Sequence, residues 1–298
     1  MQTLSLDQCF LRNLAINPNR SPAFAKLKKA ILNAVDAEKL VCPTHVEETV
    51  FESSLLPSED VEAIFGFQNR VSREVAFRPF SELLALETLA LVRPTFVVTM
   101  FREHRLPERA FPGLQELAHD NRAAKKEYNV RVDQVPYPPQ KHSPSDRLVE
   151  TYRKVSMERA ASMLRVVDAL RVPHSPFNAA TVWDYACAVG TVLQVHSVSV
   201  TELANLADKI LSHEWEAIPV LCFHTLLHAR IEEDILKSGR KFDANDLLDV
   251  LRLAVAIAYG DAVGCDGPMK EVVKQTKLNT HIFSIREPEA MQAWVESL

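Results

Sequence analysis

The stretch NDLLDVLRLAVAIAYGDAVGCDGPM, residues 245–269, decides the reading of this chain. It holds four aspartates, Asp246, Asp249, Asp261 and Asp266, and three of the seven glycines, Gly260, Gly264 and Gly267. Between the two acid pairs lies LRLAVAIAY, an apolar run that reads as buried. The pattern predicts a helix to about residue 258, capped by Asp243 or Asn245, and then a strand, AVGC (262–265). A second helix follows from Pro268 to Lys277. THIFSI (280–285) is a further strand, and a helix closes the chain.

The amino end has the same alternation. QTLSLD is a short strand candidate ending on Asp7, and residues 21–38 form a helix with Ser21 as N-cap and Pro22 at its first position. LVCP (40–43) reads as a buried strand and residues 44–56 as a helix. The middle is different. From about 58 to 128 helical patterns dominate, among them REVAFRPFSELLALETLALV (73–92). VDQVPYPPQKHSPSD (132–146) reads as an exposed loop, and helical periodicity then returns from 147 to about 238. The expectation is an α/β fold: a small parallel sheet flanked by helices, built from residues 1–56 and 240–298, with a large all-helical insertion at 57–239.

Bulk properties narrow the function classes. The chain has 298 residues, 47% of them hydrophobic and 24% charged, which is the globular class. A net charge of −5 and a pI near 6.1 give no general attraction for nucleic acid, so any such partner must meet a local basic surface or bridging cations. The five cysteines are scattered without CxxC spacing, which supports neither a zinc ribbon nor a disulfide framework. The first residues lack the pattern of a signal peptide, and no apolar stretch approaches the roughly 18 residues of a membrane span. These features predict a soluble, cytoplasmic protein with no membrane partner. Phosphate-binding, dinucleotide-binding and nucleophile-elbow glycine motifs are absent from the sequence, which disfavours ATPase, oxidoreductase and serine hydrolase chemistry.

Ligands of open parallel sheets sit outside the carboxyl ends of the strands. Asp7 and Asp266 end two strand candidates and would face one rim. Asp249, with Asp246 a turn earlier, begins the helix feeding the second of those strands, and Glu48 begins the helix after LVCP. Five such carboxylates would repel one another by several kcal/mol unless cations offset them. Mg²⁺ or Mn²⁺ suits oxygen donors of this kind. Single aspartates near helix starts also serve simply as caps, Asp243 and Asp246 among them, and Asp261 can cap a turn with Gly260.

At these residues the chain resembles the PIN-like nuclease superfamily. LSLDQCFLRNLA is similar to the family's opening strand, whose closing aspartate implies a metal-ligand role for Asp7. VCPTHVEE resembles its second element and points to Glu48, with Glu47 or Glu52 as alternatives. NDLLDVLRLAVAIAYGDAVGCD resembles its later acid blocks, Asp249 standing 17 residues before Asp266. The form with an extra acid and Tyr-Gly-Asp looks like a bacterial branch with enlarged helical regions, in which Asp246 and Asp261 would be auxiliary metal residues. The resemblance implies a metal-dependent ribonuclease acting on single-stranded RNA, with Asp7, Glu48, Asp249 and Asp266 catalytic. A DNA nuclease using the same acids, or a non-catalytic binding or assembly module, is the alternative. Here the family's threonine before the last aspartate is replaced by Cys265.

Remaining motifs are weaker. Arg240 and Lys241, just before the acidic helix, are candidates to grip substrate phosphate. His224, His228 and Glu232 share a helix face without the HExxH pattern, and partly buried structural histidines are the ordinary explanation. Residues 102–131 mix basic and acidic side chains, as a solvated face does. Tyr137 could stack a base. The helical insertion is a candidate surface for a protein partner or a second copy.

Overall fold

The computed structural model describes residues 1–17, 21–110, 244–274 and 280–298, together with isolated positions between 114 and 231. Numbering only elements of the described residues, the chain begins β1 (Gln2–Leu6), α1 (Gln8–Ala15), α2 (Pro22–Asp36), β2 (Leu40–Val41) and α3 (Val46–Ser53). There follow α4 (Ser58–Ser72), β3 (Val75–Phe77), α5 (Phe80–Val92) and β4 (Phe101–Glu103). The far end supplies α6 (Ala244–Tyr259), β5 (Ala262–Cys265), α7 (Gly267–Lys274), β6 (His281–Ser284) and α8 (Pro288–Glu296).

The two ends of the chain form one parallel sheet in the order β2-β1-β5-β6. Leu4, Ser5 and Leu6 lie opposite Ala262, Val263 and Gly264, and Val263 lies opposite Ile282. The period-two alternation of strand side chains then divides the core. Leu4, Leu6 and Ala262 join Phe10, Leu27, Ile31, Phe65 and Met291 on one face. Val263 and Cys265 join Leu253, Ile257, Met269 and Val273 on the other. Both faces are thus covered by helices, which is why the central strand β5 reads as an apolar run. The α/β class and the parallel sheet expected from sequence are present.

One stretch departs from its expected structure. The pattern at 73–92 reads as one helix, but α4 ends at Ser72, Arg73 and Glu74 adopt positive φ (52° and 61°), and residues 75–77 form β3. Val-Ala-Phe favours extended backbone, and Pro79 disfavours helical geometry in the residue before it. β3 pairs antiparallel with β4, and Ala76 bridges Thr44 in parallel fashion. Val61, Ile64 and Phe65 of α4 belong to the same core as β1, so packing continues through the expected boundary at residue 56. Nearly all of 111–243 lies outside the described residues. Ser21 does precede α2, with Pro22 at its start, although the Ser21 hydroxyl makes no capping hydrogen bond.

Gly264 sets how closely α1 and α8 approach β5. A Cβ there would lie 2.7 Å from Met291 Cε and 3.0 Å from two ring carbons of Phe10, which is fully buried. The methionine tip can yield, but the phenylalanine ring has no room to do so. Gly264→Ala is therefore expected to cost about 1–3 kcal/mol, read as a lower urea midpoint at unchanged m-value.

Candidate functional site

α6 runs back across the molecule to feed β5, so its first turns stand at the carboxyl edge of the sheet. Asp7 follows the last residue of β1 at that edge, and its backbone N–H donates to the Gly264 carbonyl at 3.0 Å. Asp266 follows β5 directly. α3 reaches the same place because Gln8 at the start of α1 donates to Ser53 Oγ at 3.0 Å. The fold thereby gathers acids from both ends of the chain.

Asp7, Glu52 and Asp249 form the tight centre: one carboxylate oxygen from each lies within 4.8 Å of the others. Three elements contribute them, β1, α3 and α6, so the grouping is a product of the tertiary fold. Asp7 is buried, 7% exposed. Asp266 lies close enough for its charge to act on Asp249, and Asp246 acts in turn on Asp266. Asp266 Oδ1 accepts a hydrogen bond from the Met269 N–H at 2.7 Å, which makes it the cap of α7 as well as a rim carboxylate.

The residue that sequence reasoning missed is Arg252. It is 3% exposed, the second residue of the apolar run of α6. Its guanidinium donates to Asp7 Oδ1 through Nη1 and to Asp249 Oδ1 through Nη2, the latter at 3.0 Å. Burial opposes its charge, but Asp7, Asp249 and Glu52 outweigh that and hold Arg252 protonated well above the usual arginine range. The signal was present: a lone arginine in LRLAVAIAY, three residues after Asp249, has no apolar reason to be there.

Electrostatics record a surplus of acid. Burial raises Asp249 to about 8; Arg252 opposes that, while Asp7, Glu52 and Asp266 reinforce it. Asp266 is also raised, first by burial, against the pull of the Met269 N–H. Glu48 is raised by burial, with its own backbone N–H and Arg252 acting the other way. The thiols are protonated: burial and then Asp7 push Cys9 up, and burial raises Cys265 to about 12. Cys9 Sγ donates to Asp7 Oδ2 at 3.2 Å. Behind the acids, buried His45 is hydrogen-bonded to Ser5 Oγ through Nε2 at 2.9 Å and stacks on Phe77 at 4.6 Å. Burial, followed by the charge of Arg252, lowers His45 well below the usual range and keeps it neutral.

The expected acids sort into three groups. Asp7 and Asp249 meet in the centre, and Asp266 and Asp246 stand beside it. Glu48 is replaced in the tight group by Glu52, one turn further along the same face of α3; Glu47 is turned away to Arg102, 2.6 Å from its Nη2. Asp261 is at the wrong edge. It precedes β5, where its carboxylate accepts from the Thr3 N–H and hydroxyl, each at 2.8 Å. Four strand residues, about 13 Å of extended chain, separate it from Asp266. Arg102 and Arg105 are engaged by Glu47, Glu74 and Glu108, as a mixed solvated face would have them. His224 packs its ring 4.9 Å from Phe80. Arg240, Lys241, His228, Glu232 and Tyr137 lie outside the described residues.

No family model, no curated protein and no solved structure matches this chain. Among the described residues no helix is long and apolar enough to cross a membrane.

Two outcomes follow from this electrostatic balance. An unfolded aspartate titrates near 3.9, whereas folded Asp249 does so at about 8. Between those values the folded chain holds a proton that the unfolded chain has released. Raising the pH through that window therefore favours unfolding. Without divalent cations, stability in urea should fall from about pH 4 to about pH 8, and Asp249→Asn should flatten the decline. Arg252→Met leaves Asp7 and Asp249 facing each other without a cation, and at pH 8 should cost about 3–5 kcal/mol. The loss should be smaller at pH 5, where a carboxyl keeps its proton.

Proposed function

We propose that this chain is a metal-dependent nuclease of PIN-like type that hydrolyses phosphodiester bonds of single-stranded RNA. The observation that carries the reading is the meeting of Asp7, Glu52 and Asp249 within 4.8 Å at the carboxyl edge of a parallel sheet. The donor set suits a hard divalent cation, Mg²⁺ or Mn²⁺: it consists of carboxylate oxygens alone, from separate elements, with protonated thiols nearby. Asp7, Glu52 and Asp249 would hold the ion, with Asp266 and Asp246 beside it. A cation bound there would supply Lewis acidity toward a phosphodiester and a water.

The chain's own groups have separate tasks. Arg252 fixes the positions of Asp7 and Asp249, so that two candidate ligands are oriented before any ion arrives. Asp266 is oriented by the Met269 N–H, which leaves Oδ2 without a hydrogen bond among the described residues. RNA is favoured over DNA by the resemblance of the acid blocks alone.

Arg252 also supports a second reading. A guanidinium shared by two aspartates already offsets part of their charge, and in a non-catalytic binding or assembly module that ion triad would simply tie α6 to β1.

Thermal melting with and without Mn²⁺ distinguishes the two. A site that binds the ion should gain about 2.7 kcal/mol at a hundredfold excess over Kd. Glu52→Gln should lose most of that gain together with Mn²⁺-dependent cleavage of a single-stranded oligoribonucleotide. Neither shift nor cleavage selects the binding or assembly module, whose ion triad is complete without a metal; a shift without cleavage keeps the ion and removes the nuclease.

A further inference from the structure

A crevice of about 320 Å³ opens beside the acids, between the carboxyl ends of β5 and β6. Its wall begins at Gly267, the residue after Asp266, and continues through Lys270 of α7 to Ser284, Arg286 and Glu287 beyond β6. This is the position at which parallel sheets receive ligands, and its volume is at the low end of the range for small-molecule sites.

The charges around the crevice are paired with one exception. Lys270 is bound to Glu287, and Glu271 is 3.0 Å from Lys274. The Arg286 guanidinium has no hydrogen bond or ion pair among the described residues. Only its backbone N–H is engaged, donating to Ser284 Oγ at 3.1 Å. Arg286 is exposed, and it lies along Gly267: a Cβ on that glycine would stand 3.5 Å from Arg286 Nε and 3.6 Å from Cζ. That contact range sets the guanidinium beside the residue next to Asp266. The start of α7 does not serve an anion here, because the Asp266 carboxylate already caps it at Met269 and Pro268 has no N–H to offer. The crevice therefore carries one uncommitted positive charge, planar and forked, at the border of an acidic centre. A planar guanidinium matches the paired oxygens of a phosphate.

We propose that this crevice is a phosphodiester subsite, in which Arg286 holds the phosphate next along the strand from the one at the acids. The inference rests on the nuclease reading and deepens it by assigning a strand-holding residue. An acidic centre repels a polyanion, so a nucleic-acid strand needs a fixed cation within a nucleotide or so of the scissile bond. Among the described residues lining this crevice, Arg286 is the cation available for that purpose.

The test is fluorescence anisotropy of a short labelled oligouridylate with the full chain over a range of salt, without added metal. Arg286→Gln should weaken binding roughly tenfold at low salt and reduce the salt slope by about 0.7, one phosphate contact on a single strand. Arg286→Lys should recover the slope but only part of the affinity, since it keeps the charge and loses the fork. Unchanged affinity and slope in Arg286→Gln overturn the subsite. So does a wild-type chain that binds inorganic phosphate and not the oligonucleotide. The manganese melting shift of the wild-type chain judges the nuclease reading separately, so that reading can fail visibly while Arg286 is still being tested by the salt slope.

Discussion

The ion triad Asp7–Arg252–Asp249 is the constraint on which the rest of this structure depends. It joins β1, from one end of the chain, to α6, from the other, across a sequence separation of 245 residues. Burying a guanidinium is unfavourable unless nearly every donor finds an acceptor and the opposite charge is close. The fold supplies the opposite charge by bringing the carboxyl end of β1 and the first turns of α6 to one place, where Asp7 and Asp249 each accept from the guanidinium. The parallel pairing of β1 with β5 carries out the same juxtaposition in the backbone, and the two are consistent to the residue: Asp7 N–H reaches Gly264, one residue before Cys265 and two before Asp266.

Much of this was legible in the sequence because it depends on local rules. Short strand patterns of five and four residues ending on acids, QTLSL before Asp7 and AVGC before Asp266, announced both strands and the edge to which their acids belong. The helix between Asn245 and Tyr259 was legible from its apolar run, and its direction followed from the strand that it feeds. What escaped were properties set by rotation and contact. Glu48 and Glu52 lie four apart on one helix face and both are shielded from solvent, so nothing local says which of them comes within reach of Asp7 and Asp249; the placement of α3 brings Glu52 there. β3 was hidden because VAF sits between two helical patterns; the positive φ at Arg73 and Glu74 separates it from the first and Pro79 from the second. Arg252 was overlooked because a hydropathy reading treats one arginine among eight apolar neighbours as tolerable. Burial turns the same residue into the most constrained charge of the described chain.

The four aspartates of 245–269 illustrate how one residue type takes different tasks from its position. Asp261 precedes its strand, so it stands at the amino edge, where Thr3 supplies an N–H and a hydroxyl and the carboxylate is satisfied by two neutral donors. Asp266 follows the same strand and stands at the opposite edge, half committed to capping α7. Asp249 has an arginine one turn away and is held by it. Spacing alone cannot separate these cases, because Asp261 and Asp266 flank one short strand. The edge on which each falls does separate them.

The divalent cation proposed for this site would be compatible with Arg252 only because the acids outnumber the guanidinium. Were Asp7, Glu52, Asp249 and Asp266 all ionised, Arg252 would offset one of four negative charges. The position of Asp249, driven up to about 8, shows how the protein alone meets the excess: near neutral pH it keeps a proton on that carboxyl. A proton is a single charge bound to one oxygen, whereas a divalent ion satisfies several oxygens at once and displaces that proton as it binds. Arg252 need not leave for this exchange, since each of its two contacts engages one oxygen of a two-oxygen group. One oxygen of Asp7 and one of Asp249 are not engaged by Arg252, although on Asp7 that second oxygen is shared with the Cys9 thiol. The guanidinium is therefore better understood as the frame of the acid group than as a rival for its interior.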